Sequence, residues 1–127
     1  RLHIDFSLIL FQPEIMVCAD EKLLSQVLIN LLKNAMQALE GRRDGKIRVE
    51  VGAEKNRLLI RVADNGPGVP SDLMEDIFVP FFTTKATGSG IGLSLSRQII
   101  RMHGGELSVV SQPYRETCFT ISLPVKC

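Results

Sequence analysis

The residues best suited to chemistry in this chain fall in three stretches. One is Thr83-Thr84-Lys85-Ala86-Thr87-Gly88-Ser89-Gly90-Ile91-Gly92-Leu93-Ser94-Leu95. Three glycines alternate with small or apolar residues, and a helical pattern follows at once through Ile99 and Ile100. Glycine lets a backbone approach a ligand closely. A helix starting directly after such a loop points free N–H groups and its positive dipole end at whatever the loop holds. An anion, phosphate above all, is the expected guest, with Lys85, Thr83, Thr84 and Thr87 beside it. The pattern is neither a dinucleotide fingerprint nor a Walker loop: it lacks Gly-x-Gly-x-x-Gly after a strand, and no Lys-Ser or Lys-Thr follows the last glycine. A plain surface loop would carry the same glycines.

A second stretch is Asp64-Asn65-Gly66-Pro67-Gly68-Val69-Pro70. It reads as a rigid turn with a carboxylate fixed at its mouth. Ordinary turns use the same residues. In a pocket, however, Asp64 would accept from an exocyclic amine while Gly66 and Gly68 let a flat ring lie close. The third stretch is a helix predicted from Glu21 to about Glu40, capped by Asp20 and stopped near Gly41. Leu24, Val27, Leu28, Leu31, Ala35 and Leu39 form its apolar stripe. Gln26, Asn30, Lys33, Asn34 and Gln37 fall within about 100° of one another on the other side. A solvated face is usually wide and charged. A narrow amide-rich stripe between apolar flanks looks like the floor of a pocket.

The elements that must position these groups follow from periodicity. Alternation from Leu2 to Leu8 predicts a strand, Gln12-Pro13-Glu14 a turn, and Ile15 to Cys18 a second short strand. Lys46–Val51 and Leu58–Ala63 predict a hairpin around Glu54-Lys55-Asn56. Ser71 to Ile77 predicts a short helix capped by Ser71, and Phe78-Val79-Pro80-Phe81-Phe82 an aromatic anchor. Residues 83–90 then form a lid with glycine hinges. A helix from Ile91 to His103 ends at Gly104-Gly105, and strands at Leu107–Val110 and Cys118–Leu123 close the chain. His103 belongs to the helix-end turn rather than to a ligand set.

Composition narrows the function. At 127 residues this is one domain with room for a core. A net charge of +1 gives no bulk attraction to nucleic acid or acidic membrane. With no tryptophan and one tyrosine there is no stacking platform for single strands. Cys18, Cys118 and Cys127 lack metal spacing and read as reduced thiols in a cytoplasmic setting. No run is apolar and long enough to span a membrane. The chain lacks an initiator methionine and is expected to be a fragment of a longer protein.

Four stretches now stand in order: Gln26 to Ala35 (Gln-Val-Leu-Ile-Asn-Leu-Leu-Lys-Asn-Ala), Asp64-Asn65-Gly66-Pro67-Gly68, Phe78 to Lys85, and Gly88-Ser89-Gly90-Ile91-Gly92-Leu93. Together they resemble the N, G1, F and G2 boxes of the catalytic ATP-binding domain of two-component sensor histidine kinases. The resemblance covers essentially all of residues 1–127. The Asn-Leu-Leu-Lys-Asn-Ala-x-x-Ala form, running to Ala38, looks like nitrogen-regulation-type kinases. It implies the Bergerat fold, an α/β (α+β) two-layer sandwich. In that fold a mixed, mostly antiparallel sheet is covered by three helices, with an ATP lid.

The resemblance also implies the ligands ATP (or ADP) and Mg²⁺, and residue roles. Asn34 matches the family's magnesium ligand. Asp64 matches the acceptor for the adenine amino group, Gly66 and Gly68 the glycines under the ring, and Thr117 a threonine near adenine. Gly88, Gly90, Gly92 and Leu93 match the lid that cradles phosphates. Asn30, Asn34 and Lys85 are the catalytic candidates, and Lys33 or Lys85 supplies phosphate charge. Gln37 stands where many members have Lys or Arg, and Glu116 where many have Gly.

The implied reaction is phosphoryl transfer to a histidine on a separate dimerisation domain, with a response regulator downstream. No nucleic acid and no membrane contact by this segment are expected. Neither His3 nor His103 fits the acceptor motif. The alternatives are an ATP-hydrolysing relative on the same fold or a non-catalytic nucleotide-sensing scaffold. Hydrolysing relatives carry glutamate where this chain has Asn30, and an amide has no useful basicity for activating water.

Overall fold

The computed structural model describes residues 4–12, 16–80, 92–112 and 115–125. Five strands form one sheet in the order β1-β2-β3-β5-β4. They are β1 (Ile4–Leu10), β2 (Gly45–Glu54), β3 (Arg57–Asp64), β4 (Glu106–Gln112) and β5 (Glu116–Pro124). β1 runs parallel to β2, and the other pairings are antiparallel. The sheet is therefore mixed and mostly antiparallel, as expected. The hairpin between β2 and β3 turns through Lys55 and Asn56, both at positive φ (51° and 65°). Two such residues give the twist that joins antiparallel strands tightly.

One face of the sheet is apolar and carries the helices. Its rows run across the strands: Val49, Val62, Phe119 and Val109 in one, Val51, Ile60, Ile121 and Leu107 in the next. Helix α1 (Glu21–Ala38) lays Val27, Leu31 and Ala35 onto this face, each at most 1% exposed. Burying a leucine or valine side chain of this kind contributes about 1.5–3 kcal/mol. The α1 cap forms as expected: Asp20 Oδ1 accepts from the Leu23 amide at 3.0 Å. Helix α2 (Gly92–Met102) packs beside α1 and buries Ser96, Ile99 and Ile100. His103 holds the two helices together at that end. Its Nε2 accepts from the Asp20 amide at 3.0 Å, so Nδ1 carries the proton and donates to the Ile99 carbonyl at 2.8 Å.

Three expectations require correction. Met16, Val17 and Cys18 form no strand. Met16 stays 76% exposed, and Val17 packs against the core without pairing with a strand. The stretch 71–77 is not one helix capped by Ser71. It is two 3₁₀ turns, Ser71–Leu73 and Asp76–Phe78, the first preceded by Pro70 at the cap position with no side-chain cap. Val79 is extended and Pro80 follows, which stops the second turn while Phe78 drops into the core. Finally, Cys18 is disulfide-bonded, so the reading of three reduced thiols fails there. Cys118 is free, and burial pushes its thiol above the usual range. Among the described residues no helix is long and apolar enough to cross a membrane.

Helix α2 ends in a tight reversal. Gly104 takes φ +76°, its amide bonds the Arg101 carbonyl at 3.0 Å, and the Gly105 amide bonds the Ile100 carbonyl at 3.0 Å. Gly105 is packed against backbone: an added Cβ would overlap the Ser122 carbonyl oxygen and lie 2.8 Å from Leu123 Cδ2. Backbone cannot yield as a flexible side chain can. Gly105→Ala should therefore lower stability by about 3 kcal/mol, read as a shifted urea midpoint. A loss below about 1 kcal/mol would show that β5 yields to the methyl group.

Candidate functional site

The apolar rows of the sheet end in a polar one. Ile47, Asp64, Thr117 and Ser111 stand opposite one another across β2, β3, β5 and β4. Asp64 is 4% exposed and Thr117 5% exposed. A carboxylate buried at that level must be met by donors. One is the Gly66 amide, which donates to Asp64 Oδ1 at 2.9 Å. Ser111 Oγ lies 3.4 Å from Thr117 Oγ1 and accepts from the Val69 amide at 2.6 Å. It also donates to the Glu116 carbonyl at 3.1 Å. Asp64 and Thr117, each expected near the same ligand, are thus brought side by side by β-sheet register.

The glycine turn after β3 is clamped from two sides. Gly66 lies under the end of α1: an added Cβ would sit 2.8 Å from Asp64 Oδ1 and 3.1 Å from both the Cβ and the carbonyl oxygen of Ala38. Only glycine permits that approach. Gly68 is required for a different reason: it takes φ +78°, a left-handed conformation that glycine adopts without strain. Asn65 joins the turn to the loop leaving α1. Its Oδ1 accepts from the Lys46 amide at 2.7 Å, and its Nδ2 donates to the Asp44 carbonyl at 2.9 Å. Arg42 Nη1 donates to the Asn65 carbonyl at 2.5 Å. Arg42 also sits beside Asp44 and holds that carboxyl below its usual range.

The polar side of α1 splits into two parts. Gln26 and Lys33 are exposed, whereas Asn30, Asn34 and Gln37 are half-buried. Asn30 meets the start of α2: its Nδ2 donates to Ser96 Oγ at 3.3 Å, and a Cβ added to Gly92 would lie 3.8 Å from Asn30 Cγ. Leu93, half-buried, packs against the core in the same turn. Of the expected site residues, α1 and α2 therefore bring Asn30 to Gly92, while the sheet brings Asp64, Gly66 and Thr117 together. Lys85, Gly88 and Gly90 lie outside the described residues, as does most of the expected lid. A separate cavity of about 440 Å³ opens on the opposite face of α2, lined by Phe78, Ser94, Arg97, Gln98, Arg101 and Met102.

Sequence reasoning missed Ser111, Ser96 and Arg42. A lone serine has no pattern of its own; the only available hint was that Ser96 interrupts the apolar side of α2. Replacing Ser111 by Ala removes the acceptor for the Val69 amide. We expect a stability loss of about 1 kcal/mol and faster hydrogen exchange at Val69 with exchange at Leu107 unchanged. Unaltered exchange at Val69 would show that Ser111 does not hold the turn.

Comparison with known proteins places this geometry. Residues 19–126 match the family of histidine kinase-, DNA gyrase B-, and HSP90-like ATPases. The chain is 46% identical over 108 residues to the signal transduction histidine-protein kinase AtoS of Escherichia coli, covering 84% of this chain and 17% of AtoS. It is 40% identical over 117 residues to the sensory histidine kinase/phosphatase NtrB of Rhodobacter capsulatus, covering 84% of this chain and 33% of NtrB. It thus spans a third or less of these two curated relatives. The solved catalytic domain of the histidine kinase ThkA superposes with a TM-score of 0.87 at 36% identity, covering 96% of this chain and 79% of that one. ThkA in complex with the response regulator protein TrrA gives 0.82 at 34% identity, covering 97% of this chain and 34% of that one. The chain belongs to the histidine kinase-, DNA gyrase B- and HSP90-like ATPase family, and within it to the catalytic domains of histidine kinases.

Proposed function

We propose that residues 1–127 are the ATP-binding catalytic domain of a longer, nitrogen-regulation-type sensor kinase. It transfers the γ-phosphoryl group of ATP to a histidine on the dimerisation domain of the same protein, for onward passage to a response regulator. The observation that carries this reading is the row of buried Asp64 and Thr117 and half-buried Ser111 beside a glycine turn, linked by α1 to the start of α2. That arrangement offers an acceptor for a base at one end and helix N–H groups for phosphate at the other. Asp64 accepts from the adenine amino group, with Thr117 beside it and Gly66 and Gly68 under the ring. Gly92 and Leu93 begin the phosphate end, to which Gly88, Gly90, Lys85 and Lys33 belong. The segment works in the cytoplasm, and its partners are ATP or ADP, the dimerisation domain and the regulator.

The donor set suits Mg²⁺. Among the described residues no group of three or more His, Cys, Asp or Glu side chains is placed to hold a metal. Asn34, half-buried on α1, offers a single amide oxygen. Mg²⁺ keeps most of its waters and takes few protein ligands besides substrate phosphates. When bound, the ion neutralises charge on the phosphates. The chain's own residues orient the nucleotide and exclude water; no covalent intermediate on this domain is needed. Asn30 meets a serine hydroxyl and carries no carboxylate, so it supplies no base for rapid hydrolysis.

Asp64→Asn tests the adenine end. The amide still accepts from Gly66 through its oxygen but presents a donor at its other end. ADP affinity should fall by roughly 1.5–3 kcal/mol in calorimetry, with folding retained. Unchanged affinity would remove Asp64 from the base site.

Asn34→Ala tests the reaction. This chain, labelled ATP and the cognate dimerisation domain should give acid-labile label on that domain, and Asn34→Ala should abolish it without unfolding. Stable label on the isolated chain would overturn transfer to a separate domain in favour of a local acceptor, and fast phosphate release without the partner domain would overturn the kinase reading in favour of an ATPase. Undiminished transfer by Asn34→Ala would remove the metal assignment.

A further inference from the structure

Ser96 is an anomaly inside α2. It is 0% exposed, and Ile99, Ile100 and Leu93 on the same helix pack into the apolar core. A hydroxyl buried there without a hydrogen bond would be costly. Its partner is Asn30 Nδ2 at 3.3 Å, on the neighbouring helix and 66 residues away in sequence. The carboxamide also lies beside the first turn of α2, where a Cβ added to Gly92 would come to ordinary contact distance, 3.8 Å, from Asn30 Cγ.

A carboxamide has one donor end and one acceptor end. We infer that Ser96 is a positioning residue: by engaging Nδ2, it fixes the Asn30 amide so that Oδ1 is the end offered to the reacting groups. That last clause rests on the kinase reading, because it takes the first turn of α2 as the phosphate end. An acceptor there holds the N–H of an incoming imidazole and orients its other nitrogen toward the phosphorus. A donor there would bind phosphate oxygens instead, in the ground state as well as in transfer, and would leave the imidazole unheld. Without Ser96 the amide is free to turn between these two arrangements.

The first test needs no turnover. In isotope-labelled chain, the Asn30 side-chain amide protons should show cross-relaxation to the Ser96 β-protons, and Ser96→Ala should free that amide to exchange orientation. Amide protons directed away from Ser96 in the wild type would overturn the inference, whatever the chain's activity. The second test uses this chain with its cognate dimerisation domain and ATP. Ser96→Ala should lower kcat about tenfold, within the range a lost hydrogen bond allows, with KM for ATP and melting temperature little changed. In an Asn30→Ala background, which has no amide to orient, Ser96→Ala should lower the residual transfer by less than about twofold. Equal losses in both backgrounds, or a loss in KM and melting temperature instead of kcat, would each overturn the positioning role. Absence of transfer by the wild type would overturn the kinase reading alone, because the cross-relaxation result stands independently.

Discussion

A carboxylate buried at the end of an apolar sheet face is the constraint on which the rest of this site depends. Asp64 shares its face with Val62, Ile60 and Leu58, yet it must be met by donors. One donor is the backbone two residues on, and a turn sharp enough to bring the Gly66 amide to Oδ1 also drives Gly66 against Ala38. The turn cannot relax outward, because Asn65 is bonded to the loop that leaves α1 and Val69 is bonded to Ser111. The acid, the glycine, the end of α1 and the last sheet strand therefore form one object. Moving any of them exposes or orphans a polar group.

Helix α1 carries that constraint to the other end of the site. Ala38 touches the glycine turn and Asn30 touches the start of α2. Eight residues of α-helix separate them by about 12 Å. A rigid spacer thus sets the distance between the base-recognising turn and the helix N-terminus suited to phosphate. Its rigidity comes from Val27, Leu31 and Ala35, which alternate with the polar positions and are buried against the sheet. One helix serves as both core and ruler, which is why its two stripes are so sharply divided in the sequence.

That division made much of the fold legible. Period 3.6 in α1, period 2 in β2 and β3, and the glycine stop at Gly104 each have local causes, so residue order alone reveals them. The meeting of Asp64 and Thr117 was legible only through resemblance, because 53 residues of sequence separation are closed by strand register. What escaped entirely was single polar residues whose meaning is tertiary. Ser96 looks like any helix serine until Asn30 is placed across from it, and Ser111 like any edge residue until the glycine turn is folded over it. Met16 to Cys18 misled for the converse reason: β-branched and apolar composition was real, but Val17 uses it to pack against the core and none of the three pairs with a strand.

The placement of α2 raises the last physical question, since its first turn must stay in register with Asn30. The described contacts answer it with a stack of rings and charge. Phe119, two residues beyond Thr117 on β5, meets Phe78 edge to face at 6.3 Å, and Arg97 of α2 lies 4.3 Å above the Phe78 ring. Arg97 Nε is buried without a hydrogen bond among the described residues, with Glu106 Oε1 3.9 Å away. Leaving such a donor unsatisfied costs about 1–3 kcal/mol, and a cation–π contact returns about 0.5–1 kcal/mol when exposed and about 2 kcal/mol or more when desolvated. The two terms are of similar size. The contact's consequence is geometric: α2 is held on the same strand that carries Thr117, so the helix start and the base-recognising row move together or not at all.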